Sequence, residues 1–378
     1  MENQERAGRF VRQPEGYVAF VPAPLPPHPE LKMDAAMLMA LSSADRALGR
    51  LDGITRTLPN PDLFVDMYVK KESLLSSQIE GTQASFAEII TGGTGGLTED
   101  QREVSNYVAA LNYGLQRVHE LPLSLRLLRE IHARLLAVGR GADRNPGEFR
   151  RSQNWIGSAH CSLQTAAFVP PSVPDMEKAL GDLESFFYAE EVIPPLIKIA
   201  LIHAQFESIH PFLDGNGRVG RLLITFWLVH QQILSKPLLY LSLYFKRYRT
   251  EYYDLLMAVR KEGKWEEWVM FFLKGVTRVS QDACVSAQKI LRLRQETQER
   301  LVGINHHNMI DFLFSNPIFT RATAAKALQV SSSTGGGLIR RLLELGVLEP
   351  CADEGRVRNV RFRFSAYLSI LEAESLEE

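Results

Sequence analysis

Apolar residues recur at helical spacing along most of the chain. After Lys32, the residues Met37, Ala40, Leu41, Ala44, Leu48 and Leu51 fall on one face of a helix, and Asp52–Gly53 is expected to end it. A second helix is expected to start at Asn60-Pro61-Asp62, to carry Leu63, Val65, Met67, Val69, Leu74 and Leu75, and to stop at Ile79–Glu80 ahead of Gly81. The same period runs over roughly 99–119, 123–137, 174–188, 194–209, 217–233, 248–261 and 264–280. One stretch breaks it. Trp155 to Pro171 has short β-like runs among small and polar residues, which predicts a hairpin projecting from a helical body.

The ends of the chain differ from this middle. Residues 1 to about 30 are rich in proline, with the run Pro22 to Pro29, and read as an extended surface arm. Gln281 to Arg300 reads as a polar helix linking two units. Beyond it the pattern gives helices at Met309–Ser315, Thr320–Leu328 and Ser333–Leu345. Strands follow at Leu348–Cys351 and Val357–Phe364, joined through Ala352–Arg356. That order is a winged helix-turn-helix. The expected division is therefore 1–98 for the arm and first helices, 99–280 for a helical core, 281–304 for the linker and 305–378 for the winged unit. The fold class expected is mainly α.

Composition narrows the function classes. The 378 residues are 45% hydrophobic and 23% charged, with a net charge of -1, so nothing pulls the whole chain toward nucleic acid or a membrane. Cys161, Cys284 and Cys351 are far apart and form no CxxC pair, which fits a reducing compartment. The first residues lack a basic segment followed by an apolar one. The apolar run Leu222–Val229 stops at His230, well short of the roughly 20 residues a membrane span needs. A cytoplasmic chain with no membrane partner is expected.

The chemistry concentrates in His210-Pro211-Phe212-Leu213-Asp214-Gly215-Asn216-Gly217-Arg218-Val219-Gly220-Arg221. Gly215 and Gly217 permit a tight turn whose amides can cradle an anion. The helix that follows adds its N-terminal amides and dipole. Arg218 and Arg221, three apart, share one face of its first turn. Such a site suits a polyphosphate. Asp214 makes best sense beside phosphates as a Mg²⁺ ligand. His210 can accept a proton at neutral pH, as from an attacking hydroxyl. His203, on the helix before, reads as a packed structural histidine, and His160 as a surface residue. Upstream, Glu80 ends a helix where the dipole disfavours negative charge, so it should have a positive partner elsewhere. Ser76 lies one turn earlier on the same face.

These twelve residues resemble the signature His-x-Phe-x-(Asp/Glu)-Gly-Asn-Gly-Arg-x-x-Arg of the Fic family at every defined position. The resemblance implies an all-helical Fic core with a β-hairpin flap, and transfer of AMP from ATP to a Tyr, Thr or Ser hydroxyl of a protein, the enzyme itself included. It implies His210 as base, Phe212 as the loop's anchor and Asp214 as the Mg²⁺ holder. Asn216 with the Gly215 and Gly217 amides would hold the α- and β-phosphates, Arg218 the β-phosphate and Arg221 the γ-phosphate. The hairpin would be the flap that aligns a target segment. Ser76-Ser77-Gln78-Ile79-Glu80-Gly81 resembles the family's inhibitory motif, which implies that Glu80 pairs with Arg221 and spoils the ATP pose. Many relatives dimerise. Many also carry an Asn near the adenine where Tyr248 aligns, so the resemblance leaves the base contact with Tyr248 open.

Three readings follow. One is a magnesium-dependent, auto-inhibited protein adenylyltransferase. A second keeps the site but removes AMP, with Glu80 positioning water, or transfers another nucleotide. A third is a DNA-binding regulator with a nucleotide-sensing core. For the winged unit, Ser331 to Arg341 is the recognition helix, and Arg340, Arg341, Arg356, Arg358, Arg361 and Arg363 are diluted by Glu344, Glu349, Asp353 and Glu354. Contact with DNA and contact with protein both stay open.

Overall fold

The structure is a computed structural model that describes residues 6–58, 60–91, 96–157, 160–190, 192–301, 306–351 and 360–373. It is mainly helical, with two small antiparallel sheets. The chain opens with a hairpin, β1 (Gly8–Arg12) and β2 (Val18–Pro22), paired in register from Gly8–Pro22 to Arg12–Val18. The proline arm follows and lies across the core. Arg6 fastens it by donating to the Pro29 carbonyl at 2.6 Å, the Glu30 carbonyl at 2.7 Å and the Glu266 carboxylate at 2.8 Å.

Helix α1 (Ala35–Thr57) is capped by Asp34, whose side chain accepts from the Met37 N–H at 2.8 Å. It does not stop at Asp52–Gly53 as expected. One interior glycine costs a helix about 1 kcal/mol, and burial of Leu51 and Thr55 against the core outweighs it. Helix α2 (Pro61–Ile79) ends as expected, with Gly81 at φ +106° turning the chain away. Short α3 (Phe86–Thr91) was not foreseen.

The helical core follows the expected order. It comprises α4 (Glu99–Arg117), α5 (Leu125–Leu135), α6 (Val173–Phe187), α7 (Pro195–Ile209), α8 (Asn216–His230), α9 (Ser242–Arg247) and α10 (Arg249–Glu262). Helices α7 and α8 are apolar on all sides and buried almost end to end, as central helices must be. Helix α11 (Trp265–Arg300) is one unbroken element. The break expected at 280 is absent, because the apolar face continues through Ala283, Cys284, Ala287 and Ile290, which pack on the core. The expected linker is thus the distal half of a core helix.

The hairpin expected at 155–171 is smaller than its sequence suggested. Among the described residues it is a single antiparallel bridge, Ile156 with Phe168, exchanging hydrogen bonds at 2.8 and 3.1 Å; Ser158 and Ala159 lie outside the described residues. Its outer edge is taken by β2, where the Phe20 N–H donates to the Val169 carbonyl at 2.9 Å.

The C-terminal segment runs α12 (His306–Ser315), β3 (Ile318–Thr320), α13 (Arg321–Ala327), α14 (Ser332–Glu344), β4 (Glu349–Pro350), β5 (Arg361–Arg363) and α15 (Ser365–Glu372). The sheet order is β3-β5-β4. The expected join Ala352–Arg356 and the first residues of the second expected strand, Arg358 included, lie outside the described residues. Helices α12 and α15 pack against α2 and α11. The Lys71 ammonium donates to the Ala373 carbonyl at 3.3 Å, and Phe64 of α2 shares one small cavity with Phe314 and Tyr367.

Candidate active site

The loop between α7 and α8 is fixed before any ligand arrives. His210 caps α7 in the left-handed region, at φ 50° and ψ 60°, a conformation uncommon for a non-glycine residue. Gly215 takes the second left-handed position, at φ +78°. Phe212 is fully buried and stacks on His132 with ring centroids 3.7 Å apart, which anchors the loop as expected. His132 does more. Its Nδ1 accepts from the Gly147 N–H at 2.8 Å, so its Nε2 carries the proton and donates to the Asp214 carbonyl at 3.0 Å. Burial pushes its pKa down to about 4, and the ring stays neutral. From the flap side, Arg150 Nε and Asn154 Nδ2 donate to the His210 carbonyl at 3.1 and 3.2 Å, and Asn154 Nδ2 also donates to the Phe212 carbonyl at 2.8 Å.

Asn216 sits differently from the resemblance's assignment. Its side chain is buried and closes the turn: Oδ1 accepts from the Phe212 N–H and Nδ2 donates to the Phe212 carbonyl, both at 2.8 Å. Its main-chain amide is the group at the helix end that an anion would meet. The first intrahelical bond of α8 runs from the Val219 N–H to the Gly215 carbonyl, so the amides of Asn216, Gly217 and Arg218 are those a helix end leaves for a ligand.

Both arginines are buried and paired with carboxylates. Arg218 donates to Glu103 at 2.8 Å and to Asp214 Oδ1 at 3.1 Å. Arg221 Nε donates to Ser76 Oγ at 2.8 Å, and its Nη2 donates to the Ser76 carbonyl at 3.0 Å and to Glu80 Oε1 at 2.7 Å. Burial pushes the Glu80 carboxyl up, but Arg221 and Arg218 hold it below its ordinary value, so it is charged at neutral pH. Glu80 Oε1 lies only 2.4 Å from where a Cβ on Gly217 would be. The carboxylate therefore sits against the first turn of α8, beside the amides an anion would use. Arg249 Nε donates to the Ile79 carbonyl at 3.2 Å and steadies the end of α2.

His210 is a neutral imidazole. Burial, then the nearby Arg260 guanidinium, lower its pKa to about 3. Its Nδ1 is buried without a hydrogen-bond partner, 4.0 Å from Glu207 Oε2. Arg260 donates to the Glu207 carbonyl at 2.9 Å and Ser208 Oγ at 3.1 Å, and stacks on flap residue Phe168 at 4.0 Å. His203 is fully buried, bonded to the Gly220 carbonyl and the Tyr252 hydroxyl at 3.0 and 2.9 Å, and His160 is exposed; both lie as the sequence suggested. Tyr248 packs on Tyr244 at 4.7 Å and hydrogen-bonds to no loop residue among the described residues. Tyr253, still 37% exposed, has its hydroxyl pKa raised by partial burial and then by the Glu80 charge.

Asp214 fits a magnesium ion that arrives with phosphates. Its Oδ1 takes Arg218, while its Oδ2 faces Gly141, 2.8 Å from where a Cβ there would be. Its side chain is about a third exposed, at 35%. No group of three or more His, Cys, Asp or Glu that could hold a metal occurs among the described residues. One open carboxylate oxygen suits Mg²⁺ completed by phosphate and water.

The sequence reading missed His132, Glu103, Arg150, Asn154, Glu207 and Arg260. Only Glu207 carried a signal, its place one helical turn before His210.

Fold and site thus define a helical protein whose central loop presents a neutral histidine, helix-end amides and two arginines. Residues 38–116 match the Fic/DOC family N-terminal region and residues 122–228 the Fic/DOC family proper. The chain is 32% identical over 151 residues to the "Protein adenylyltransferase Fic" of Culex quinquefasciatus, covering 39% of this chain and 27% of that one. Against the protein of the same name from Drosophila yakuba it is 28% identical over 290 residues, covering 73% of this chain and 55% of that one. The chain therefore spans about a quarter to about half the length of these curated relatives. The crystal structure of a Fic family protein from Desulfovibrio desulfuricans G20 shares the fold, with a TM-score of 0.58 at 18% identity, over 88% of this chain and 97% of that one. No described helix is long and apolar enough to cross a membrane.

Proposed function

We propose that this chain is a protein adenylyltransferase that moves AMP from ATP to a protein hydroxyl and is held back by Glu80. The observation that carries the reading is the neutral His210 imidazole at the edge of a helix end built for phosphates. The relatives named protein adenylyltransferase Fic support it. His210 takes the proton of the attacking hydroxyl. The hydroxyl oxygen bonds to the α-phosphorus, and the bond to pyrophosphate breaks. The α8 amides and the two arginines balance phosphate charge, so positioning and electrostatics do most of the work. Asp214 would hold Mg²⁺, which supplies further charge neutralisation. Arg221 is engaged by Glu80 and Ser76, which supports the auto-inhibited reading.

For the C-terminal segment, the order α12-β3-α13-α14-β4-β5 supports a winged helix-turn-helix. Its arginines are partly spent, Arg341 on Glu344 at 3.5 Å and Arg363 on Glu349 at 3.1 Å. That balance favours a protein contact over DNA.

The test is incubation of Glu80→Gly with Mg²⁺, ATP labelled at the α-phosphate and a cell lysate, followed by mass analysis of the chain itself. Labelled protein with an AMP mass gain, lost in Glu80→Gly/His210→Ala, is expected. No label from Glu80→Gly overturns the reading. Loss of AMP from a pre-modified target points to the reverse reaction, and salt-sensitive DNA binding without label points to a regulator.

A further inference from the structure

Glu207 is a buried acid with no role in the chemistry so far described. It lies on the last turn of α7, and its Oε1 has no hydrogen-bond partner. That oxygen lies 2.5 Å from where a Cβ on Gly220 would be, so the glycine in Arg218-Val219-Gly220-Arg221 opens the space the carboxylate fills. Its Oε2 lies 4.0 Å from the likewise partnerless His210 Nδ1. The Glu207 carbonyl also borders the ring; it accepts from Arg260 Nη2 at 2.9 Å, and its second lone pair is the competing acceptor for an Nδ1–H. Glu207 Oε1 and His210 Nδ1 are each buried without a partner, and the other carboxyl oxygen lies about one ångström beyond bonding distance from Nδ1; a small turn of the carboxyl group that brought it onto Nδ1 would relieve the cost of an unpaired buried ring nitrogen.

We propose that the Glu207 carboxylate is the positioning partner of His210, holding its ring in the Nδ1–H form and stabilising it when it becomes charged. The inference rests on the functional reading above. With the proton fixed on Nδ1, Nε2 is the ring's lone pair for the target hydroxyl. As the hydroxyl oxygen bonds to the α-phosphorus and pyrophosphate leaves, its proton passes to Nε2. The imidazolium then faces a carboxylate, which offsets the Arg260 and Arg150 guanidiniums that oppose its charge. This arrangement follows the logic of an acid that orients a catalytic histidine. A carboxamide at 207 keeps the shape but lacks the charge.

Two measurements test it. In the Glu80→Gly chain, Glu207→Gln should lower kcat for AMP transfer by about tenfold or more and leave KM for ATP within about twofold. In the otherwise unaltered chain labelled with ¹⁵N-histidine, His210 should show the Nδ1–H pattern, and Glu207→Gln should lose it. An unchanged kcat in the variant, or an Nε2–H ring in the unaltered chain, overturns the proposal. The spectrum of the unaltered chain needs neither turnover nor a variant. If the parent Glu80→Gly chain transfers no AMP, the functional reading fails and the ring's proton position still decides the pairing.

Discussion

Glu80 and Arg221, 141 positions apart in the chain, meet at 2.7 Å with the arginine buried. The same guanidinium is held twice more by Ser76. A hydrogen bond to a charged group contributes about 1.5–3 kcal/mol. Glu80→Gly should therefore raise the initial rate of AMP labelling by roughly ten- to a hundredfold. Ser76→Ala removes one neutral acceptor, is expected to raise the rate by only a few-fold, and should add little to Glu80→Gly. Equal rates for Glu80→Gly and the unaltered chain would remove the inhibitory role.

His132→Ala should loosen the loop without touching any proposed reacting group. It deletes the ring stacked on Phe212 and leaves the Asp214 carbonyl and the Gly147 N–H unpaired. A loss of about 2–4 kcal/mol in denaturant unfolding is expected, together with weaker ATP binding by calorimetry in the Glu80→Gly background.

Gly220→Ala tests the close approach of α7 and α8. The added methyl would meet Glu207 Oε1 at 2.5 Å, the Phe206 ring at 3.2 Å and His203 Cε1 at 3.3 Å. Overpacking of this kind costs about 1–3 kcal/mol, and a lower melting temperature would report it. Gly336→Ala has open space around it and lies within α14, so it should stabilise by a few tenths of a kcal/mol up to about 1.

Stability should respond to acid in two stages. Burial lowers His132 to about 4 and His203 and His210 to about 3, from 6.5. Below pH 6.5 the unfolded chain binds protons at these rings that the folded chain refuses, so each costs stability as pH falls. Burial raises Glu72 and Glu207 to about 7, from 4.5. Between 7 and 4.5 the folded chain binds protons there that the unfolded chain does not, which adds stability as pH falls. Three groups against two leave a shallow slope of about one proton, or roughly 1.4 kcal/mol per pH unit. Below about 4.5 the two acids stop contributing and the slope should steepen toward three protons. Denaturant melts at pH 7, 6, 5 and 4 would show the break, and a uniform slope would contradict it.

The helical body and the loop were legible because their signals are local. Apolar period, capping residues and glycines at Gly81 and Gly215 all act within a few positions. The parts that stayed hidden depend on distant partners. His132 reads as one more residue of an amphipathic helix until its ring meets Phe212 and the Asp214 carbonyl, 82 positions on. Asn216 reads as a phosphate ligand because nothing local shows that its amide closes the turn on Phe212. The base contact at Tyr248 stayed open for the same reason, since which tyrosine of this segment feels Glu80, as Tyr253 does, depends on how α9 and α10 pack. The hairpin β1–β2 was missed because its strands are short and its stability comes from Phe20 packing on Phe10 and Phe168.

Helix α2 carries Ser76 and Glu80 at one end and forms a wall for α12 and α15 along its flank. A fragment ending at the core would strip Phe64 of Phe314 and Tyr367, and Lys71 of the Ala373 carbonyl. AMP-labelling rates taken from such a fragment would describe a chain whose Glu80 had lost its backing. The proposed inhibition is therefore best measured on all 378 residues.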